Sequence, residues 1–153
     1  MFHIVLYQPE IPPNTGNIIR LCANTQAQLH LIEPLGFSLS DKQMRRAGLD
    51  YHHLARIQTY PNFEAFMNTA KPKRCFALTT KATSFYTNHQ YQSGDYFVFG
   101  PETRGLPQDV LDQFPSDNKL LIPQASSSRS LNLANCVSIV VYEALRQLDF
   151  CFQ

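Results

Sequence analysis

The sequence predicts an α/β fold: one domain over residues 1–153, built on a parallel sheet with helices on both faces. Short apolar runs of strand length alternate along the chain with longer amphipathic segments, the pattern of a parallel sheet whose crossovers are helical. The chain has 153 residues, 44% hydrophobic and 16% charged, which is enough to bury a core and too apolar for disorder. Polar blocks containing Gly and Pro follow several of the strand-like runs, where such a sheet carries its ligand loops.

The first strand is expected over 2–7, because Phe2-His-Ile-Val-Leu-Tyr7 is short and apolar. The run carries no charged leader and does not read as a signal peptide, so none is expected. A helix follows over 15–24, with Asn14 or Thr15 as its cap. A strand at 29–32 precedes a short helix over 41–47. Ser40 followed by Gln43 reads as a capping box there, and Gly48 as the stop. A helix over 63–69 and a strand over 75–79 come next, then a strand over 96–99, a helix over 108–114 and a strand over 120–122. Pro61 and Pro107 sit where helices begin. The last helix, 133–148, is the best defined. Leu133, Val137, Val140, Val141, Ala144, Leu145 and Leu148 form one broad apolar stripe. Ile139 lies off that stripe, so a second covered face, toward the sheet or another subunit, stays open.

Composition excludes several classes. No apolar run is long enough to span a bilayer, so a cytoplasmic protein without membrane partners is expected. The formal charge of +1 gives no global field for nucleic acid, and any such contact must come from local patches. Cys22, Cys75, Cys136 and Cys151 show no zinc or redox spacing. Adjacent His52 and His53 point in different directions on a helix, so no metal site is expected.

The chain has no GxGxxG, no GxxxxGK[ST] and no GxSxG. A dinucleotide fingerprint, a P-loop and a hydrolase elbow are therefore absent. Three polar blocks remain. Pro9-Glu-Ile-Pro-Pro-Asn14-Thr-Gly16-Asn17-Ile-Ile-Arg20 follows the first strand and opens a helix. Asn17 and Arg20 are three apart and can face one site, and an Arg in an apolar helix start suits a phosphate or carboxylate. Gly100-Pro-Glu102-Thr-Arg104-Gly105 follows the strand at 96–99. Ser128-Arg-Ser130-Leu-Asn132-Leu-Ala-Asn135 follows the strand at 120–122 and opens the last helix, whose free N–H groups favour polar partners. Three loops after three strands of one sheet predict a common site at that rim. Lys42, Arg45 and Arg46 share one side of a short helix and are candidate phosphate contacts if that site handles RNA.

These blocks, together with Arg45-Arg-Ala-Gly-Leu-Asp-Tyr51, closely resemble the SPOUT-superfamily RNA 2′-O-ribose methyltransferases. Within them the chain is similar to the small group acting on cytidine or uridine 34 of tRNA. The resemblance covers nearly the whole chain. It implies S-adenosylmethionine as cofactor, a C-terminal trefoil knot and a homodimer with its site near the subunit interface. It also implies the wobble nucleotide of certain leucine tRNAs as substrate, so the anticodon stem-loop of tRNA is the expected partner.

By the same resemblance, backbone groups around Leu78, Thr79, Gly100, Ile122, Ser130 and Leu131 hold the cofactor. Arg20, Glu102, Ser130 and Asn132 match the catalytic positions. Arg129 and Tyr142 are further functional positions, placed with Lys42, Arg45 and Arg46 on the RNA side. No metal is required. Two departures touch turns: Gln26 and Ala82 stand where relatives commonly carry Gly. A 2′-O-methyltransferase of another RNA site and a knotted RNA-binding module without catalysis stay as alternatives.

Overall fold

In the computed structural model, residues 1–46, 49 and 56–152 are described. The elements run β1 (His3–Tyr7), α1 (Pro12–Thr25), β2 (Gln28–Ile32), α2 (Asp41–Arg46), β3 (Ile57–Tyr60), α3 (Phe63–Ala70), β4 (Cys75–Leu78), β5 (Ser84–Phe85), β6 (Tyr96–Phe99), α4 (Gln108–Leu111), β7 (Lys119–Leu121) and α5 (Leu133–Gln147). Among the described residues the strands form one seven-stranded sheet ordered β3-β2-β1-β6-β4-β7-β5. Its pairings are parallel throughout. All strand C-termini therefore reach the same rim.

Alternation along the strands divides the core in two. Ile4, Leu6, Leu29, Leu31, Phe76, Phe97, Phe99 and Leu120 face α1 and α5, meeting Ile18, Ile19, Val137, Val140, Val141 and Ala144. Val5, Ile32, Ala77 and Val98 face the other way, against Phe63 and Phe66 of α3 and Val110 and Leu111 of α4. Helices on both faces are thus required, since each face of the sheet is apolar. The predicted stripe of α5 is buried at Leu133, Val137, Val140, Val141, Ala144 and Leu145, with Leu148 and Ile139 half-buried.

Several boundaries differ from the sequence reading. β3 and β5 were not expected. β3 lies at the sheet edge with Gln58 and Thr59 exposed, so it lacks an apolar signature, and β5 has only two residues. α1 begins at Pro12 with Ile11 as N-cap and no side-chain cap bond. Asn14 and Thr15 therefore lie inside the first turn and are not caps. Fixed proline φ suits that first turn. Asn62 caps α3, its Oδ1 accepting the Ala65 N–H at 2.8 Å, with Pro61 immediately before it. Pro107 is the N-cap of α4, which ends at Leu111. α2 starts directly after Ser40; Gly48, His52 and His53 lie outside the described residues.

The sheet order places β7 between β4 and β5, although β4 and β5 are joined by residues 79–83 alone. The C-terminal part of the chain therefore enters a gap that an earlier, short link spans. Thr79 N–H donates to the Leu120 carbonyl at 3.0 Å, holding that link to β7. That strand order is consistent with the expected trefoil knot. It is unusual because connections in folded chains seldom pass through one another.

Candidate active site

The three polar blocks meet at the C-terminal rim, and a fourth loop joins them. The loop after β1 leads into α1. The loop after β6 folds back tightly: a Cβ on Gly100 would stand 2.3 Å from the Leu106 backbone nitrogen and 2.4 Å from the Gly105 carbonyl carbon, so only glycine fits. Gly105 takes φ +68° and donates its N–H to the Pro101 carbonyl at 2.9 Å, closing the turn.

Asn14, buried at 6% exposure, joins the blocks to one another. Its Nδ2 donates to Glu102 Oε1 at 3.4 Å, and its Oδ1 accepts from Asn132 Nδ2 at 2.8 Å. Asn132 is the N-cap of α5, with Oδ1 accepting the Asn135 N–H at 3.3 Å. Glu102 also accepts the Glu10 N–H at 2.7 Å and the Ile11 N–H at 3.0 Å. A carboxylate from the loop after β6 therefore sits at the start of α1, where free N–H groups and the helix dipole favour negative charge. This explains how α1 manages without a cap of its own.

A cavity of about 270 Å³ opens beside this network. Leu78, Thr79, Gly100, Ile122, Ser130 and Leu131 all line it, together with Glu102. The six positions expected to hold a cofactor are thus brought together. Thr79 is already committed to local bonds: its N–H serves Leu120, its carbonyl accepts from Ala82 and its Oγ1 accepts from Lys81. Lining residues that sequence reasoning missed include Thr80, Lys81, Thr103, Leu106, Gln124 and Cys136. The polar Thr-Thr-Lys break after the apolar β4 was the available signal for the first two. Asn14 was noticed for the wrong reason, as a cap.

Arg20 lies elsewhere. It is exposed on α1 with Asn17, roughly 9 Å along the axis from Asn14 at the ordinary helical rise, and is not among the cavity's lining residues. Lys42, Arg45 and Arg46 are exposed on α2, and Arg129 is exposed in the loop before α5. Tyr142 is 46% exposed on α5, and Ile11 and Leu131, at the starts of the two helices that Asn14 and Asn132 link, are also exposed.

The donor set suits a small organic cofactor and not a metal. Apolar walls from Leu78, Leu106 and Leu133 stand beside the Thr79 and Ser130 hydroxyls and the backbone of the Gly100 turn, the mixture usual in such sites. The Glu102 oxygens are already engaged. Among the described residues no three His, Cys, Asp or Glu side chains converge. Burial pushes the Cys22 thiol up to about 12, as expected of an inert core residue. A second cavity of about 290 Å³ lies by α1, β2 and β3. Its described lining is Ile19, Cys22, Ala23, Ala27, Leu29, Ile57 and a single charged residue, Arg56, so it lacks convergent polar groups.

A parallel sheet with β7 inserted between β4 and β5 and a cavity of about 270 Å³ at its rim define the fold and the site, and the sequence comparison agrees with the class they suggest. The SpoU rRNA Methylase family matches residues 1–142, and the chain belongs to that family. It is 57% identical over 150 residues to the tRNA (cytidine(34)-2′-O)-methyltransferase of Escherichia coli strain K12, covering 98% of this chain and 96% of that one. A solved structure from work on the 2-OH methylation of C/U34 on tRNA superposes with a TM-score of 0.89 at 44% identity, covering 99% of this chain and 98% of its own. An AdoMet-bound rRNA methyltransferase from Sinorhizobium meliloti superposes at 0.82 with 26% identity, over 96% of this chain and 56% of that one. No helix among the described residues is long and apolar enough to cross a membrane.

Proposed function

We propose that this protein transfers the methyl group of S-adenosylmethionine to the 2′-hydroxyl of nucleotide 34, cytidine or modified uridine, in leucine tRNAs. It does so as a cytoplasmic homodimer that grips the anticodon stem-loop. The observation that carries this reading is the rim cavity tied by Asn14 to Glu102 and Asn132, in a chain alignable almost end to end with tRNA (cytidine(34)-2′-O)-methyltransferases.

When bound, the cofactor supplies an electrophilic methyl group. The protein's task is to present the ribose hydroxyl to it and to stabilise the charge that develops on that oxygen. Leu78, Thr79, Gly100, Ile122, Ser130 and Leu131 hold the cofactor. Ser130 and Asn132 orient the hydroxyl, and such alignment supplies a large share of the acceleration in transfers between two bound partners. A guanidinium offers N–H donors and no acceptor, so Arg20 is a poor general base. Its role here is electrostatic: from its exposed place on α1, outside the cofactor cavity, it clamps the developing alkoxide and a neighbouring phosphate of the docked RNA, and that phosphate or a water takes the proton. Glu102 holds the start of α1 and thereby the helix that carries Arg20. Lys42, Arg45, Arg46 and Arg129 contact phosphates, exposed Tyr142 lies with them on the RNA side, and half-buried Ile139 lies off the apolar stripe of α5, on a face open to the second subunit.

Calorimetry and single-turnover methylation of leucine tRNA test this. The wild type binds S-adenosylmethionine and methylates nucleotide 34. Arg20→Ala binds the cofactor normally and methylates about a hundredfold more slowly, the scale of losing one transition-state donor. A normal rate in Arg20→Ala overturns the clamp. Failure of the wild type to bind the cofactor favours the RNA-binding module without catalysis.

A further inference from the structure

Two carboxylates at the rim each close on the other's loop. Glu102 accepts the backbone N–H groups of Glu10 and Ile11. In return Glu10 Oε1 accepts the Thr103 N–H at 3.0 Å and the Thr103 hydroxyl at 2.7 Å. A second strap runs beside them, from Arg104 Nη2 to Gln8 Oε1 at 3.3 Å. The back of Glu10 is fixed as well. A Cβ on Gly36 would meet Glu10 Cα at 2.8 Å, and the Gly36 N–H donates to the Pro9 carbonyl at 2.9 Å. Loops after β1, β2 and β6 thus lock at Glu10.

We infer that Glu10 is a positioning residue for the methyl transfer: it fixes the Thr103–Arg104 turn that walls the cofactor cavity, and so sets cofactor affinity without touching the reacting groups. Thr103 and Arg104 both line that cavity. The turn is internally closed by the Gly105–Pro101 bond, so it moves as a unit whose attitude depends on its outside attachments. Charge-assisted bonds to a carboxylate are the stronger kind, and Glu10 has its carboxyl held below the usual range, chiefly by the Thr103 hydroxyl. Since Glu10 lies two residues before α1, the same clasp links the cavity wall to the helix carrying Arg20.

This inference rests on the cofactor reading above, and its test separates the two. S-adenosylmethionine affinity is measured by calorimetry for wild type, Glu10→Ala, Glu10→Gln, Thr103→Val, Thr103→Ser and the double variant Glu10→Ala/Thr103→Val, with kcat at saturating cofactor. Glu10→Ala and Thr103→Val each weaken binding about tenfold, and the double variant is no worse than either. Glu10→Gln and Thr103→Ser, which keep an acceptor and a hydroxyl, stay within about threefold, and kcat changes by less than about twofold in the Glu10 variants. Wild-type affinity in Glu10→Ala, or losses that multiply in the double variant, overturns the clasp. Where Glu10→Ala does not fold, the Thr103 pair decides. If the wild type itself binds no S-adenosylmethionine, the cofactor reading fails, and amide exchange at Thr103 still decides the clasp: protection lost in Glu10→Ala, which removes the acceptor, supports it, and unchanged protection refutes it.

Discussion

Replacing Glu102 by alanine distinguishes a residue that builds the site from one that does chemistry in it. The substitution removes an anion that accepts from Glu10 N–H at 2.7 Å, Ile11 N–H at 3.0 Å and Asn14 Nδ2 at 3.4 Å. Hydrogen bonds to charged groups contribute about 1.5–3 kcal/mol each. Two are short, the third is long, and water can reach the Ile11 N–H once it is freed, so the low end applies to each short bond. The expected destabilisation is about 2–3 kcal/mol. For a chain of this size that lowers Tm by roughly 5–10 °C. Glu102→Gln keeps one acceptor oxygen and loses the charge, for a cost of about 1 kcal/mol. Thermal and urea unfolding followed by circular dichroism give the stabilities, and methylation is assayed well below each Tm. The account expects Glu102→Gln to keep most of its activity and Glu102→Ala to lose activity together with stability. An inactive Glu102→Gln of wild-type stability would refute the reasoning, because it would make the carboxylate a chemical participant and not a cap for α1.

Two other outcomes follow from local geometry. Gln26 closes α1 at φ +57°, the left-handed conformation that favours glycine. Gln26→Gly is expected to stabilise the fold by about 0.5–1 kcal/mol in urea unfolding, and a loss of stability would contradict the strain argument. Near the start of β1, His3 Nδ1 meets His30 Nε2 at 3.0 Å, and His30 Nδ1 meets Tyr60 Oη at 2.9 Å. Burial holds both imidazoles down at about 4, with the N-terminal charge adding to the effect on His3 and His3 adding to it on His30. The unfolded chain takes up protons near 6.5 and the folded chain does not, so stability is full above about pH 6.5 and falls as pH drops toward 4. Urea unfolding is expected to show about 2–3 kcal/mol less stability at pH 5.5 than at pH 7.5. Equal stabilities, or a gain on acidification, would show that the pair is not held neutral.

Much of the fold was legible because its signals are local. The apolar runs at β1, β2, β4, β6 and β7 and the stripe of α5 each declare themselves within a few residues. β3 did not, since Gln58 and Thr59 face solvent at the edge, and β5 is too short to leave a pattern. Sheet order depends on contacts distant in sequence, so the insertion of β7 between β4 and β5 has no local trace. The site shows the same division. Three polar loops after three strands pointed to one rim, and Gly100 explains how its turn can close. The role of Asn14 depends on Glu102 and Asn132, far along the chain, and read alone it looked like a helix cap. Gln26 and Ala82 were both noted as departures, but only Gln26 takes a left-handed backbone. Ala82 sits in an ordinary turn, its N–H on the Thr79 carbonyl.

The central claim is that this chain methylates the ribose of nucleotide 34. Mass mapping of ribose methylation in leucine tRNA from cells lacking the protein, and from the same cells given it back, tests that most directly. The account predicts an unmethylated nucleotide 34 in the deletion, restored by the wild-type gene and not by Arg20→Ala. Full methylation at position 34 in the deletion, with loss at another RNA position, would contradict it.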